Sequence, residues 1–471
     1  MTFPVTRRLG FGARLATRMT LSASMRLPTE IESERSRKLL TADLTPALWH
    51  GEQSRWLDSA TALREFAEFG IARRAARELI DEHRAATGEV LPMREALIEV
   101  GVTNKNWPEI YHAQIAHRFA AASEASIGYG ERLVWFWSNH FAVSGAGGGT
   151  RRLAPGPLEA EAIRPHVDGS FGEMLLAVSM HWAMLSYLDG NNSIGPGSPV
   201  GINRDRGLNE NWAREILELH TLGVDGGYGQ NDVVALARML TGWRYRNPNS
   251  DDGRGFLFQE SRHEPGPKIL LGKTYPDDSF EQGVAALRDL ARHPSTARHL
   301  ATKLARHFVA DEPPERMVRE LEGVFLESEG DLGAVHRALL HSPEAQEAPP
   351  TKLRLPQEFL VAMLRATGVE IEPRLINQMC RIMGQPVWQP PSPDGFPDTN
   401  EYWLSPETMK RRLDVAMAVA ERVDPTLEPM EVLELTIGDI ATDDTRLSVA
   451  RAESRQQAFA LLFMSPEFQW R

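Results

Sequence analysis

Cysteine is almost absent: the 471 residues hold one, Cys380. A single thiol forms no intramolecular disulfide and excludes any zinc site built from several thiolates. Stability must therefore come from packing, and a metal would rest on imidazole and carboxylate alone. Long apolar runs are missing too. No stretch approaches the about 18 residues of a membrane span, and Arg14, Arg18 and Arg26 interrupt every run near the start. A secretory leader, which needs about 7 to 15 consecutive apolar residues, is not visible, so a cytoplasmic location is expected. Basic charge is in deficit. A net charge of -12 and a pI near 5.7 argue against sequence-independent nucleic-acid binding, which needs a basic face to displace counterions. Residues 1–40 are the exception, with eight Lys or Arg against three Glu, a net +5. Alternating strand and helix patterns are also lacking, which disfavours a doubly wound nucleotide fold. There is no P-loop, no G-x-S-x-G elbow and no H-E-x-x-H; His263-Glu264 lacks the second His. No nucleotide or haem signal remains.

What is present reads as helix. Apolar residues recur at helical spacing over 59–80, 111–125, 130–141, 208–222, 231–243, 295–309, 355–367 and 373–383, among other segments. The spacing predicts an all-α, multi-helix array with one small β-hairpin near 256–271, where two β-rich runs flank an E-P-G-P turn. Four regions are expected: a basic segment at 1–40, a helical core with the candidate site at 41–245, a hairpin connector at 246–275, and a helical half at 276–471 packed on the first as one enlarged unit. Connections at 142–157, 189–207 and 384–405 exceed the about 12 to 15 residues beyond which loops are usually functional or mobile.

Two helices carry the informative side chains. In ERLVWFWSNHF, residues 131–141, a step of about 100° per residue puts His140 inside the apolar arc of Leu133, Phe136, Trp137 and Phe141, with Glu131, Arg132, Ser138 and Asn139 opposite. The imidazole should be buried. In LNENWAREILELHTL, residues 208–222, Glu215 falls among Leu208, Trp212, Ile216 and Leu222, with Asn211 and Glu218 beside it on the same edge. A carboxylate facing a core must find a cation or hydrogen-bond donors. Two chemistries fit Glu215, His140 and His220: proton transfer, or coordination of a divalent metal by His140 and Glu215. Asn209, Glu210, Asn211, Arg214, Glu218, Asp232 and Trp243 are candidates for the pocket around them. The competing reading is a structural network in which Glu215 pairs with Arg132 or Arg152 and each His donates to a carbonyl.

Weaker signals are few. GAGGGTRR at 145–152 offers backbone amides with Arg151 and Arg152 as anion-binding candidates, but it follows a helix and reads more simply as a connector. The stretch ARHPSTARHLATKLARHF, with His293, His299 and His307, reads as a helix with a solvated basic face.

Several motifs occur together in one order: RRLGFGAR near the start, ERLVWFWSNHF, NENWAREILELHTLGVDGGYGQNDVVALARMLTGW, HEPGPKILLG, LARHPSTARHLATKLARHFVADEPP, KLRLPQEFLVAMLRATG and PPSPDGFP. In these the chain resembles the bacterial domain-of-unknown-function 1800 family over roughly residues 8–413. It departs at Ser138, where relatives often carry a second His, and at Phe396, where they often carry Trp. Ser138 removes a potential ligand from a two-histidine metal site. The resemblance implies no activity. Relatives are often exported, and they are associated with a sulfatase-like family, which implies a protein partner rather than a reaction. The expected function is a hydrolase-like enzyme built on the buried carboxylate and histidines. The alternatives are a helical scaffold that binds a partner or polymer through the 384–403 loop, and a basic head that docks onto an acidic surface.

Overall fold

The computed structural model describes residues 57–102, 107–125, 128–147, 149–203, 207–245, 255–347 and 350–471. The basic 1–40 segment and its R-L-G-F-G motif lie outside the described residues, as does most of the link between the first two strands.

The fold is predominantly α-helical. Local chemistry explains where many helices begin and end. Pro294 opens the helix Pro294–Phe308, with the His293 ring accepting the Ser295 amide at 3.1 Å, because proline suits a first turn that lacks amide partners. The helix Pro356–Thr367 likewise opens on proline and stops at Gly368, whose φ of 68° is left-handed. Its Glu358 reaches back to accept the Leu355 amide at 2.9 Å. No helix among the described residues is long and apolar enough to cross a membrane.

One contiguous apolar core runs from Ala62 to Phe468 and contains the fully buried rings of Trp137, Trp182, Trp212 and Trp243. The helix Tyr129–His140 passes through it enclosed on nearly all sides. Glu131 and Arg132, expected opposite the apolar arc, are therefore buried as well. Buried charges must be paired, and they are. Glu131 binds Arg164, Arg118 Nε sits 2.9 Å from Glu159, and Arg132 Nε sits 2.7 Å from Glu358. Arg471 Nε lies 3.1 Å from the other oxygen of Glu358.

Only two of the four short strands among the described residues fall within the expected 256–271, and they do not pair with each other. β1 (Trp243–Tyr245) pairs antiparallel with β2 (Phe256–Phe258), and β3 (Lys268–Leu270) with β4 (Lys273–Tyr275). The two runs read as one hairpin thus belong to two small sheets. The segment between them is drawn away by Thr241: its hydroxyl accepts the Glu264 amide at 2.8 Å, and its carbonyl lies 3.0 Å from His263 Nδ1. The real turn is Leu271-Gly272, both at positive φ, the geometry of a tight two-residue hairpin.

Two short π-helical turns follow directly on α-helices, at Glu159–Ile163 and Ile216–His220. Such bulges often mark functional sites because they redirect side chains. In the second, Thr221 Oγ1 donates to the Ile216 carbonyl at 2.6 Å, and His220 is buried as a result of the widened turn.

Candidate functional site

A cavity of about 270 Å³ lies against the C-terminal half of Tyr129–His140. Its walls come from both halves of the chain: His140 and Asn139 from that helix, Lys303 and His307 from Pro294–Phe308, Glu358 from Pro356–Thr367, and residues 385–399 from the long loop. The loop is closed over the cavity by direct bonds. Asn139 Oδ1 accepts the Phe396 amide at 2.8 Å, and Asn139 Nδ2 donates to the Phe396 carbonyl at 3.0 Å. Trp388 Nε1 donates to Glu159 at 2.9 Å, and its carbonyl accepts the Gly145 amide at 2.8 Å. The tryptophans of this loop, Trp388 and Trp403, are buried and offer no aromatic surface to a partner.

Gly395 makes that closure possible. Its φ is +87°, and a Cβ there would stand 2.4 Å from the Asn139 carbonyl oxygen. Gly395→Ala is expected to lower stability by about 1 to 3 kcal/mol through strain and displacement of the loop. Urea unfolding checks this, and an unchanged midpoint would mean that the loop is not held at Asn139.

Two polar pairs face the cavity. In the first, Lys303 Nζ lies 3.0 Å from His140 Nδ1, and His140 Nε2 lies 3.2 Å from the His220 carbonyl. An ammonium only donates, so Nδ1 accepts and Nε2 carries the proton: His140 is a neutral imidazole. Its pKa is held well below the ordinary value by burial, then by Lys303 and the neighbouring imidazoles of His220 and His299. Burial and Lys303 likewise bring His220 to about 3 and His299 to about 4. Lys303 is half-buried overall, yet the packing about its ammonium lowers its pKa to about 8, with Asp398 and Asp394 opposing the shift.

In the second pair, Asp398 Oδ2 lies 2.7 Å from His307 Nδ1. A carboxylate accepts, so Nδ1 carries hydrogen and the ring is fixed with Nε2 3.8 Å from Glu358 Oε1 and without a hydrogen-bond partner among the described residues. Burial alone would raise the Asp398 pKa, but His307, followed by Lys352 and Arg132, brings it to about 2. Lys303 and His307 stand four residues apart on one helix, so both side chains emerge from the same face.

The expected site residues are divided by the fold. His140 and His220 come together, their ring centroids 6.1 Å apart. Glu215 is half-buried on the preceding α-helical segment. Its pKa is raised by burial, then by Glu218 and Asp394. Asp394 lines the cavity, and Glu215, which does not, feels its charge from outside. Neither Arg132 nor Arg152 supplies Glu215 with a cation: Arg132 binds Glu358, and Arg152 lines a separate pocket. Metal coordination by His140 and Glu215 finds no support. Both nitrogens of His140 are already engaged, and among the described residues no group of three His, Cys, Asp or Glu has metal-binding geometry.

The remaining candidates do not line this cavity. Asn209 caps a helix by accepting the Asn211 amide and donates to the Leu188 carbonyl. Glu210 and Arg214 both bond to Gln230, and Glu218 accepts from Tyr228. Asp232 holds the Gly229 and Leu271 amides, and Trp243 packs against Trp212 and Phe280 in the core. Arg151 lines a second pocket of about 610 Å³ with Tyr187 and Tyr245. Reading 295–309 as a solvated face missed Lys303 and His307, because the loop covering that face comes from some 90 residues later in the chain. A signal existed: both residues alternate with Leu300, Leu304 and Phe308, all fully buried.

A helical protein with a loop-closed cavity holding a lysine-histidine pair and a histidine-aspartate pair is thus defined by fold and geometry. The chain matches the family model described as "Protein of unknown function (DUF1800)" over residues 5–470 and belongs to that family. Neither the curated proteins nor the solved structures compared with it give a match.

Proposed function

We propose that the protein is a hydrolase-like enzyme whose acid–base chemistry runs in the loop-closed cavity. The observation that carries this reading is the pair of Lys303 Nζ and His140 Nδ1 at 3.0 Å in a cavity that also holds the Asp398-oriented His307. Acid–base catalysis works best with a group whose pKa lies near the operating pH, and burial lowers Lys303 to about 8. In its neutral form Lys303 takes a proton from water as the water oxygen bonds to the electrophilic centre of the substrate. His307, protonated at Nε2, returns a proton to the leaving group as its bond breaks. His140 positions Lys303, and Asp398 positions His307. The bonds that hold Phe396 and Trp388 of the long loop against the cavity wall favour this over a scaffold that presents the loop's tryptophans to a partner.

The test is a panel of chromogenic carboxylic, phosphoric and glycosidic esters assayed with wild-type protein and Asp398→Asn. The variant is expected to lose about 10²-fold or more in kcat, because the amide no longer holds His307 in the productive tautomer. Turnover of a panel substrate at the same rate by both proteins would overturn the reading.

A further inference from the structure

A third concavity, about 210 Å³, has Gln389 in its wall, whereas its chain neighbours Trp388 and Pro390 line the cavity above. Three arginines line it. The helix Pro373–Ile382 contributes Arg374 and Arg381 with Gln378 between them, at positions i, i+7 and i+4, which share one face. Arg152 enters from the short helix Gly149–Leu153, and His112 from Trp107–Glu124. No Asp or Glu is among the lining residues. This differs from the core of the same protein, where Arg118, Arg132 and Arg164 each bind a glutamate, and it stands out on a chain of net charge -12.

Arg381 is held in place without being neutralised, and none of the three arginines pairs with a carboxylate among the described residues. Arg381 Nη2 donates to Gln389 Oε1 at 2.9 Å, and Gln389 Nε2 donates to the Tyr111 hydroxyl at 2.9 Å, which in turn bonds to the Val387 carbonyl. Asn377, also in the wall, uses its oxygen on the Val387 amide at 3.2 Å. Its NH₂ group has no protein acceptor among the described residues. The positive field reaches His112, whose pKa is lowered first by burial and then by Arg152 and Arg374, with Glu109 opposing the shift. Three like charges brought together raise the energy of an empty pocket, and a doubly charged anion removes that repulsion. The planar guanidinium matches tetrahedral oxyanions with two parallel hydrogen bonds.

We propose that this pocket binds a tetrahedral oxyanion, phosphate or sulfate or a monoester of either, through Arg152, Arg374 and Arg381 with the amides of Gln378 and Asn377. The pocket is separate from the proposed catalytic pairs, although Gln389 in its wall adjoins Trp388 in the wall of the other cavity.

Calorimetric titration of the full chain with inorganic phosphate, and separately with glycerol phosphate, tests this. Saturable binding with one ion per chain is expected. Each arginine–oxyanion contact contributes about tenfold or more to affinity, so Arg374→Ala with Arg381→Ala should weaken binding about a hundredfold. Both side chains are exposed, so the double variant keeps the fold, which its thermal transition verifies. Arg319→Ala, an exposed position elsewhere, should bind like wild type. Tighter binding of the monoester would identify an ester as the ligand, and equal binding a free oxyanion; both support the site. No saturable binding of either probe, or binding unchanged in the double variant, would overturn it.

Discussion

Lys303→Met is expected to abolish turnover in the cavity and leave the protein folded. The variant removes the group that accepts the proton while keeping the length of its stem. Loss of a well-placed acid–base group costs about 10² to 10⁴ in rate. The stability readout separates this from a structural role. Lys303 titrates near 8 in the folded chain against an ordinary value of 10.5, so the unfolded chain holds the proton more tightly. The stability linked to this group is therefore present above about pH 10.5 and lost as the pH falls through about 8. At neutral pH the wild type bears the cost of desolvating an ammonium, and the methionine variant does not. Urea midpoints should show the variant at least as stable as wild type near neutrality. The wild type should gain on it as the pH rises through 8 to 10.5. Retained activity would remove Lys303 from the chemistry, and a destabilised variant at neutral pH would make it a structural residue.

Glu358→Ala is expected to be the most destabilising single change at the site. Its carboxylate accepts from Arg132 Nε at 2.7 Å, lies 3.1 Å from Arg471 Nε and receives the Leu355 amide at 2.9 Å. Burial alone would raise its pKa, but Arg132 and His307 bring it below the ordinary value. Removing it leaves two buried guanidiniums without their anion, and breaking such a network costs about 3 to 5 kcal/mol. That is a large part of the about 5 to 15 kcal/mol that holds a typical domain folded. The measurement is the urea midpoint, or soluble yield if the variant fails to fold. A drop of less than about 1 kcal/mol would show the pairs to be energetically replaceable. The sign with pH follows from the lowered carboxylates. Glu358 and Asp398 contribute stability that is present above the ordinary carboxylate range and is lost as pH falls through their folded values, about 2 for Asp398.

How much was readable in the sequence differs by element. The all-helical class followed from apolar spacing, because a helix buries a stripe at a fixed period whatever its neighbours are. The burial of His140 followed from the same rule. The π-turn at Ile216–His220 did not: a uniform step of about 100° per residue put Glu215 in the core, whereas the widened turn buries His220 and leaves Glu215 half-exposed. Glu131 and Arg132 were assigned to a solvent face by a rule that assumes one exists, and this helix has almost none.

By itself, the sequence determined the fold class, the absence of an intramolecular disulfide or a multi-thiolate metal site, and one of the helices that line the cavity, Tyr129–His140. Those properties depend on composition and local period. Only the tertiary structure decided which polar groups meet. Lys303 reaches His140 across 163 residues, His307 reaches Asp398 across 91, and Arg132 reaches Glu358 across 226. Helical periodicity sets the direction in which each side chain leaves its own axis. The partner it finds there is set by how distant segments pack, and the charge state of each group follows from that partner.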